Sequence, residues 1–130
     1  MTLKELYRIR PLRAEVKRLE KIIREKAESI GLQSPDMSGM PHGSGNNNTS
    51  KTEKYAIEIT EYSDTKRQKE AIIAKLEKYI ADIEDDATRI IFQLRFEDGY
   101  SWKAVADEIG GKNTEDSVKM ACYRYVEKHG

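Results

Sequence analysis

Apolar residues recur at helical spacing along most of the chain, and the alternating pattern of a strand is found nowhere. In the first 30 residues they lie three, four or seven positions apart, as in the narrow seam of a coiled coil. The seam consists of Ile9, Leu12, Val16, Leu19, Ile23 and Ile30. The pattern predicts one long helix over residues 2–30, which Thr2 and Glu5 cap at its start. Pro11 predicts a kink or a restart, and Gly31 marks the end.

A second seam follows a stretch without periodicity. Residues 32–52 contain two of the three prolines and are rich in Gly, Ser and Asn, so we expect a flexible loop at about 32–50. Ser50 and Glu53 repeat the capping-box spacing, which predicts that a second long helix starts near Lys51. Its predicted seam comprises Ile59, Tyr62, Ile73, Leu76, Ile80, Ile83, Ala87 and Ile90.

The two seamed helices carry opposite net charge. Residues 1–30 hold nine basic and five acidic side chains, whereas residues 51–86 hold seven basic and ten acidic ones. Opposite charge on two seamed helices joined by a loop predicts an antiparallel, coiled-coil-like hairpin over residues 1–84. So narrow a hairpin buries little core, so we expect a homo-oligomer, with a dimer favoured. The hairpin can close within one chain or by exchange between two chains.

The remaining chain predicts a second helical domain over residues 85–130. Its three short helices are expected at about 86–97, 102–109 and 114–128. The apolar face of the first is expected to comprise Ala87, Ile90, Ile91 and Leu94. Phe92 and Phe96 fall partly off that face. The Gly of "EDGY" is typical of a helix end, Ser101 can cap the next helix, and the whole chain is therefore predicted to be all-α.

The second and third of these short helices have the features of a helix-turn-helix. Such a motif needs a small packing residue, a turning glycine and an apolar residue that fixes the second helix. These features are supplied by Val105, Ala106, Gly110 and Val118. Thr114 or Asn113 can cap the second helix, which leaves its first backbone N–H groups near phosphate.

The second helix of the pair predicts a surface that reads DNA. If Val118 faces inward, helical geometry turns Ala121, Cys122 and Tyr125 inward as well. The predicted DNA-binding surface lies opposite and comprises Lys112, Asn113, Thr114, Ser117, Lys119, Met120, Tyr123 and Arg124. Lysine and arginine reach phosphate or guanine, asparagine suits adenine or phosphate, and methionine can touch a thymine methyl group. Residues 87–130 carry seven basic and seven acidic side chains, so binding depends on their placement.

The block "RFEDGYSWKAVADEIGGKNTEDSVKMACYRYVEK" resembles the C-terminal helix-turn-helix of phage-encoded proteins related to region four of bacterial sigma factors. These are grouped with the ArpU and RinA late transcriptional regulators. The matching parts are "RF.DG.SW..VA..IGG", the restart "NTEDSV" and Arg124, six residues after the valine. The stretches "LYRIRPLRAEVKRLE" and "SPDMSGMPHGSG" are similar to the helical lead and the Gly-rich loop of the same proteins. The resemblance implies a DNA-binding regulator of phage or prophage transcription.

One departure from the sigma pattern limits what the resemblance implies. Sigma region four has a single residue between the turning glycine and the cap. Here Gly111, Lys112 and Asn113 lie between Gly110 and Thr114. The longer turn can tilt the second helix, so promoter contacts are not transferred position by position, and initiation at promoters is not implied.

Other chemistry has little support in the sequence. No Ser/His/Asp set, phosphate-binding loop or dinucleotide motif is present, so we do not expect an enzyme. One cysteine and two separate histidines, His42 and His129, give no zinc spacing, and we expect neither metal nor cofactor. No apolar run approaches the roughly 20 residues that span a bilayer, so we expect a cytoplasmic protein of the host bacterium with no membrane partner. Trp102 can pack on neighbouring helices or lie along DNA.

Three functions stay open. The first is a regulator that binds double-stranded DNA as a homo-oligomer, with RNA polymerase as a further partner. The second is a phage packaging or assembly component, such as a small terminase-like subunit, which also joins a helix-turn-helix to oligomerising helices. The third is a protein-docking adaptor without DNA binding.

Overall fold

The computed structural model describes residues 1–31 and 45–130, with side chains for residues 1–31 and 51–130. Within these ranges every regular element is helical, as the predicted all-α class requires. The elements are α1 (Leu3–Leu6), α2 (Ile9–Ser29), α3 (Gly45–Ala81), α4 (Asp86–Phe92), a π-helical segment (Gln93–Glu97), α5 (Trp102–Ile109) and α6 (Glu115–His129). The flexible loop predicted at about 32–50 falls outside the described residues over 32–44.

The single helix predicted over residues 2–30 is divided in the structure. Helix α1 ends at Leu6, and α2 begins at Ile9. Pro11 lies in the first turn of α2, where a missing N–H breaks no intrahelical hydrogen bond. Of the two readings of this proline, the restart is therefore confirmed. The predicted end is also confirmed, because α2 stops at Ser29, two residues before Gly31.

Helix α3 starts earlier than the sequence predicts. It begins at Gly45 rather than near Lys51, so Ser50 lies within the helix and the predicted capping box with Glu53 is wrong. The predicted boundary relied on the spacing of Ser50 and Glu53 and on the low helix propensity of the Gly, Ser and Asn residues before it. That penalty is at most about 1 kcal/mol per residue, whereas extending a helix that already exists avoids the cost of nucleation.

Three other helix starts have a side-chain cap, as the sequence predicts for Thr2 and Ser101 and allows for Asp85, where Asp85-Asp86 can form either a cap or a soft break. The side chains of Thr2, Asp85 and Ser101 accept hydrogen bonds from backbone N–H groups three residues later, at 3.2, 2.9 and 3.1 Å. Each bond satisfies a donor that the first turn of a helix leaves without a partner. These caps fix where α1, α4 and α5 begin.

The described residues form two compact units. One unit comprises Met1–Arg13 and Ala71–Gly130, and the other comprises Ala14–Glu70. The predicted division between residues 84 and 85 does not coincide with these units, because the start of α2 and the end of α3 belong to the same unit as α4–α6. We call the unit of Met1–Arg13 and Ala71–Gly130 the terminal unit, and the unit of Ala14–Glu70 the middle unit. The domain boundary at 84/85 remains a prediction from the sequence.

Ion pairs connect the two helical segments of the middle unit. The pairs are Glu15–Lys69 at 2.6 Å, Glu20–Lys66 at 3.6 Å and Lys26–Glu58 at 2.6 Å. Partner numbers fall along α3 as they rise along α2, so the segments run antiparallel. Lys26, which interrupts the predicted seam, also places its ammonium 4.4 Å from the ring centre of Tyr55. The buried apolar side chains described here are Val16, Leu19 and Ala27.

The terminal unit has a larger and more aromatic core. Its buried side chains are Leu6, Ile9, Leu12, Ile73, Leu76, Ile80, Ile83, Ile91, Phe92, Phe96, Val105, Ala106, Val118 and Cys122. The ring of Phe92 lies 5.5 Å from that of Phe96 and 5.4 Å from that of Tyr125, centre to centre. Phe92 therefore links α4 to the π-helical segment and to α6.

The predicted apolar face of α4 is wrong in part. Ala87 and Ile90 are exposed, whereas Phe92 and Phe96 are almost fully buried. The chain leaves the helical conformation between Ala81 and Asp86, so the heptad phase of α3 does not continue into α4. A periodic pattern extended across such a break assigns the wrong residues to the core.

The π-helical segment was not predicted. Asp98 N–H donates to the carbonyl of Gln93 at 2.9 Å, and Tyr100 N–H donates to that of Leu94 at 2.9 Å. The wide turn ends at Gly99, whose φ of 78° lies in the left-handed region that favours glycine.

No helix among the described residues is long and apolar enough to cross a membrane.

Candidate nucleic-acid interface

Helices α5 and α6 pack through the residues that the sequence assigns to their inner faces. Val105 and Ala106 of α5 are buried, with exposed fractions of 0% and 5%. Val118 and Cys122 of α6 are fully buried. Tyr125, predicted inward, is half-buried, as is Ala121. The inward orientation of Val118 and Cys122 is therefore confirmed.

Two glycines make the turn between α5 and α6. Gly110 and Gly111 have φ values of 76° and 66°, in the left-handed region where other residues are strained. Gly110 N–H donates to the carbonyl of Ala106 at 2.9 Å. The carbonyl of Gly110 in turn accepts from the side-chain amide of Asn113 at 2.9 Å. The side-chain amide of Asn113, a residue that the sequence assigned to DNA contact, thus closes the turn.

A reciprocal pair of hydrogen bonds begins α6. Ser117 N–H donates to the Thr114 hydroxyl at 3.1 Å, and Thr114 N–H donates to the Ser117 hydroxyl at 2.8 Å. The Ser117 hydroxyl also donates to the carbonyl of Thr114 at 2.9 Å. These contacts satisfy donors that a helix start leaves open. Thr114 and Ser117, like Asn113, hold the geometry of the turn.

The other predicted contact residues lie on the outer side of α6 or in the turn. Lys112 and Arg124 are exposed, and Met120 and Tyr123 are exposed by 44% and 43%. Lys119 is half-buried, and its ammonium lies 5.9 Å from the ring centre of Tyr123. In the described part of the chain, no ion pair engages the three cations of this surface. Their positive charge is therefore available to a ligand.

Two carboxylates change the electrostatics at the start of α6. Glu115 and Asp116 are exposed in its first turn, where negative side chains complement the partial positive charge of the helix. They oppose a phosphate at the same place. The sequence expectation that the first N–H groups of α6 meet phosphate is weakened, and the favourable positions are Lys119 and Arg124 further along the helix.

The inner side of α6 is anchored in the aromatic core. The ring centre of Tyr125 lies 6.1 Å from that of Tyr79 and 4.3 Å from that of His129, which stacks on it. Burial, followed by Glu84 and Asp82, raises the pKa of Tyr125. Burial also raises the pKa of Cys122 to about 12, so that its thiol stays protonated. Helix α6 is thus held as a fixed element that presents its outer face.

The sequence did not single out Arg95, which links three parts of the terminal unit. Its guanidinium donates to the Tyr7 hydroxyl at 3.1 Å and to the carbonyl of Tyr100 at 2.8 Å. It also lies 4.7 Å from the ring centre of Trp102. Trp102 meets Phe96 edge to face at 6.3 Å, so it packs on neighbouring residues, one of its two predicted roles. The sequence signal that could have identified Arg95 is the "RF" at the start of the block that resembles sigma region four.

Comparisons with known proteins found no match: no protein-family model fits the chain, and neither a curated protein nor a solved structure is similar to it. Among the described side chains, no group of three or more His, Cys, Asp or Glu residues is arranged to hold a metal ion.

Proposed function

We propose that this protein is a DNA-binding transcriptional regulator of a phage or prophage, and that α5 and α6 form a sigma region-four-like helix-turn-helix. In this arrangement α6 is the recognition helix. The long helices α2 and α3 act as an antiparallel hairpin that supports self-association. The sequence resemblance motivates the class, and the geometry of α6 supports the interface.

The observation that carries the proposal is the two-sided character of α6. Val118 and Cys122 are fully buried on one side, while Met120, Tyr123 and Arg124 are exposed on the other. A recognition helix needs both sides, since one fixes its angle and the other enters the major groove. The outer side also offers both kinds of base contact, a guanidinium for guanine and a thioether for a thymine methyl group.

The eight predicted contact residues divide into two roles. Asn113, Thr114 and Ser117 hold the turn and the helix start through hydrogen bonds within the chain. Lys119 and Arg124 supply charge for phosphate or guanine, and Lys112 adds a cation from the turn. The apolar contacts of Met120 and the ring of Tyr123 complete the surface. Specificity in this scheme comes from α6, and orientation comes from the turn.

The charge balance implies that one copy binds DNA weakly. Residues 87–130 hold seven basic and seven acidic side chains, so a general attraction to phosphate is small. Two linked copies bind far more tightly than one, because the second binding event is intramolecular. The proposal therefore includes a homo-oligomer, with a dimer as the simplest form.

A protein-docking adaptor is the second candidate, and RNA polymerase is the partner to test first. The exposed Met120 and Tyr123 favour it, because Met and Tyr are enriched in protein interfaces. Glu115 and Asp116 in the first turn of α6 also suit a basic protein better than a phosphate backbone. The same surface serves both candidates, so the ligand has to be determined by experiment.

The decisive experiment compares duplex DNA binding at low and high salt for the wild type and Lys119→Ala/Arg124→Ala. We expect binding that falls steeply with salt, a loss of about tenfold or more in the double variant, and a salt slope lower by about two. Lys54→Ala/Lys75→Ala is the matched control, because it removes two exposed charges from α3.

Either of two results would redirect the proposal. If a folded and oligomeric protein does not bind DNA at low salt, α6 is a docking surface and the adaptor replaces the regulator. If the two double variants weaken binding equally, the contact is a general charge effect and α6 is not the reading element. The mass in solution, measured in parallel, separates a dimer from the ring expected of a packaging component.

A further inference from the structure

The terminal unit also contains a cavity lined by two arginines and a tyrosine. It has a volume of about 250 Å³ and opens where α1 meets α2 and the π-helical segment ends. Its lining residues are Tyr7, Arg10, Pro11, Arg95, Phe96 and Gly99. All of them belong to the terminal unit, and the lining contains two arginines but no acidic residue. We call it the arginine cavity.

Arg95 is fixed in the arginine cavity by neutral partners. Its Nε and Nη2 atoms donate to the Tyr7 hydroxyl at 3.3 and 3.1 Å, and Nη1 donates to the carbonyl of Tyr100 at 2.8 Å. The ring of Trp102 lies beneath the guanidinium. No ion pair involves Arg95 among the described residues. Its position is therefore set while its charge remains uncompensated.

Arg10 reaches the same cavity over the turn at Gly99. A Cβ atom at Gly99 would collide with the guanidinium of Arg10, which lies directly over this turn. The φ of Gly99, 78°, further favours glycine here. Arg10 is exposed and, in the ranges that the structure covers, takes part in no ion pair. A second uncompensated guanidinium thus lines the cavity beside the first.

The donors of the cavity suit an oxyanion. The Tyr7 hydroxyl accepts from Arg95, so its own proton is free to be donated to a ligand. The guanidinium of Arg10 can present parallel N–H groups that match the oxygens of phosphate or carboxylate. Arg95 uses three of its five N–H groups on Tyr7 and Tyr100 and keeps one on each Nη atom for a ligand. A carboxylate offers two oxygens in one plane, whereas the three terminal oxygens of a phosphate can each meet one of the two arginines and the hydroxyl. The two positive charges also match a phosphate better than a singly charged group.

We propose that the arginine cavity binds a phosphate group. The inference goes beyond the proposed function, because it makes no use of α6 and holds for a free phosphate or a small phosphomonoester. The phosphodiester backbone of DNA is the other source of the same chemistry. Arg10 and Arg95 bind the oxygens, and Tyr7 both orients Arg95 and donates its own hydrogen bond.

The test follows the arginine side chains directly by NMR. In the full chain labelled with ¹⁵N-arginine, the Nε–Hε signals of Arg10 and Arg95 are monitored during titration with inorganic phosphate at constant ionic strength. We expect saturable shifts of these two signals and none of Arg8, an exposed arginine outside the cavity. Arg10→Gln is expected to weaken phosphate binding about tenfold or more, whereas Arg8→Gln should leave it unchanged.

Several outcomes would overturn the site. These are the absence of saturable shifts, equal shifts of Arg8 and the cavity arginines, and unaltered phosphate binding by Arg10→Gln. Arg10 is exposed, so its substitution leaves the core intact and a loss of binding is not a loss of folding. The Arg95→Lys variant, which keeps the charge but not the fork, should also bind phosphate more weakly.

A DNA titration distinguishes the two sources and separates this inference from the regulator. If duplex DNA shifts both signals and free phosphate competes, the ligand is a backbone phosphate. If free phosphate binds but DNA does not move the signals, the ligand is a free phosphate. Phosphate binding without any DNA binding removes the regulator and keeps the cavity. If DNA binding needs Lys119 and Arg124 and phosphate does not shift the arginine signals, the regulator is kept and the phosphate site is removed.

Discussion

The two compact units differ most in the size of their buried apolar cores. Fourteen buried apolar side chains lie in the terminal unit, against three described for the middle unit. The middle unit shows three ion pairs between α2 and α3 and a cation–π contact of Lys26 with Tyr55. The terminal unit adds the ion pairs of Arg13 with Glu77 and Glu97 to its larger core. Burial of apolar surface contributes roughly 25 cal/mol per Å², whereas exposed ion pairs contribute little.

The larger core makes the terminal unit the more rigid of the two. The terminal unit holds α6 in one orientation, as an interface that reads a ligand requires. The middle unit has a thin core of its own, so its helices gain most from additional apolar contacts, such as those of a second copy. The self-association that we propose would add such contacts to the middle unit.

The largest expected effect tests the core of the terminal unit. Phe92→Ala should lower the free energy of unfolding by about 3–5 kcal/mol, because the side chain is fully buried between Phe96 and Tyr125. Leu19→Ala in the middle unit should cost about 2 kcal/mol, at the low end for such a change. Urea denaturation followed by circular dichroism and Trp102 fluorescence measures both. Equal losses would contradict the contrast between the units.

A smaller effect concerns a carboxylate at the edge of the terminal core. Burial, followed by the neighbouring Glu77, raises the pKa of Glu97, while Arg13 acts in the opposite direction. Because the folded pKa is raised, the stabilising contribution is complete below the ordinary value of 4.5 and is lost as the pH rises through the raised pKa. Glu97→Gln removes this loss and keeps an acceptor for Arg13, whose Nη2 lies 3.2 Å from Glu97 Oε1.

The stability of Glu97→Gln relative to the wild type should therefore increase as the pH is raised above 4.5. Urea titrations at a series of pH values measure the difference. Glu108→Gln, which removes one exposed carboxylate from α5, is the control against which the trend of Glu97→Gln is measured. A difference that decreases with pH would mean that Arg13 dominates the environment of Glu97.

The smallest effect is expected from salt, and it should be larger in the middle unit than in α6, which takes part in no ion pair among the described residues. At about 1 M salt the screening length falls to about 3 Å, which weakens exposed ion pairs. Amide hydrogen exchange in residues 14–29 should become modestly faster, while exchange in α6 stays unchanged. Lys26→Met retains the apolar stem and should reduce this salt dependence. Equal acceleration in both regions would remove the electrostatic distinction.

Local signals in the sequence predicted a large part of the fold. The starts of α4, α5 and α6 follow from Asp85, Ser101 and Thr114, because a capping side chain acts within three residues. The inward side of α6 follows from helical geometry once Val118 is taken as buried. Such features depend on neighbours along the chain, which a single sequence displays.

What the sequence did not predict depends on phase or on distant contacts. The break between α3 and α4 changes the phase of the apolar pattern. As a result Ile90, predicted to be buried, is exposed, and Phe92, predicted to lie partly off the apolar face, is buried. Arg95 finds its partner in Tyr7, 88 positions away. At the candidate interface, the residue types were predicted, but their division into contact and turn-holding roles was not, because Ser117 is recruited by a hydrogen bond that polarity alone does not reveal.

The reactivity of Cys122 reports how often the packing around α6 opens. The thiol is the single one in the chain, it is fully buried on the inner side of α6, and burial holds its pKa near 12. Alkylating reagents attack thiolates, so they can modify it only while the packing around α6 is open. The rate of alkylation therefore counts those openings, and a ligand that holds α6 in place will slow it without any label having been introduced.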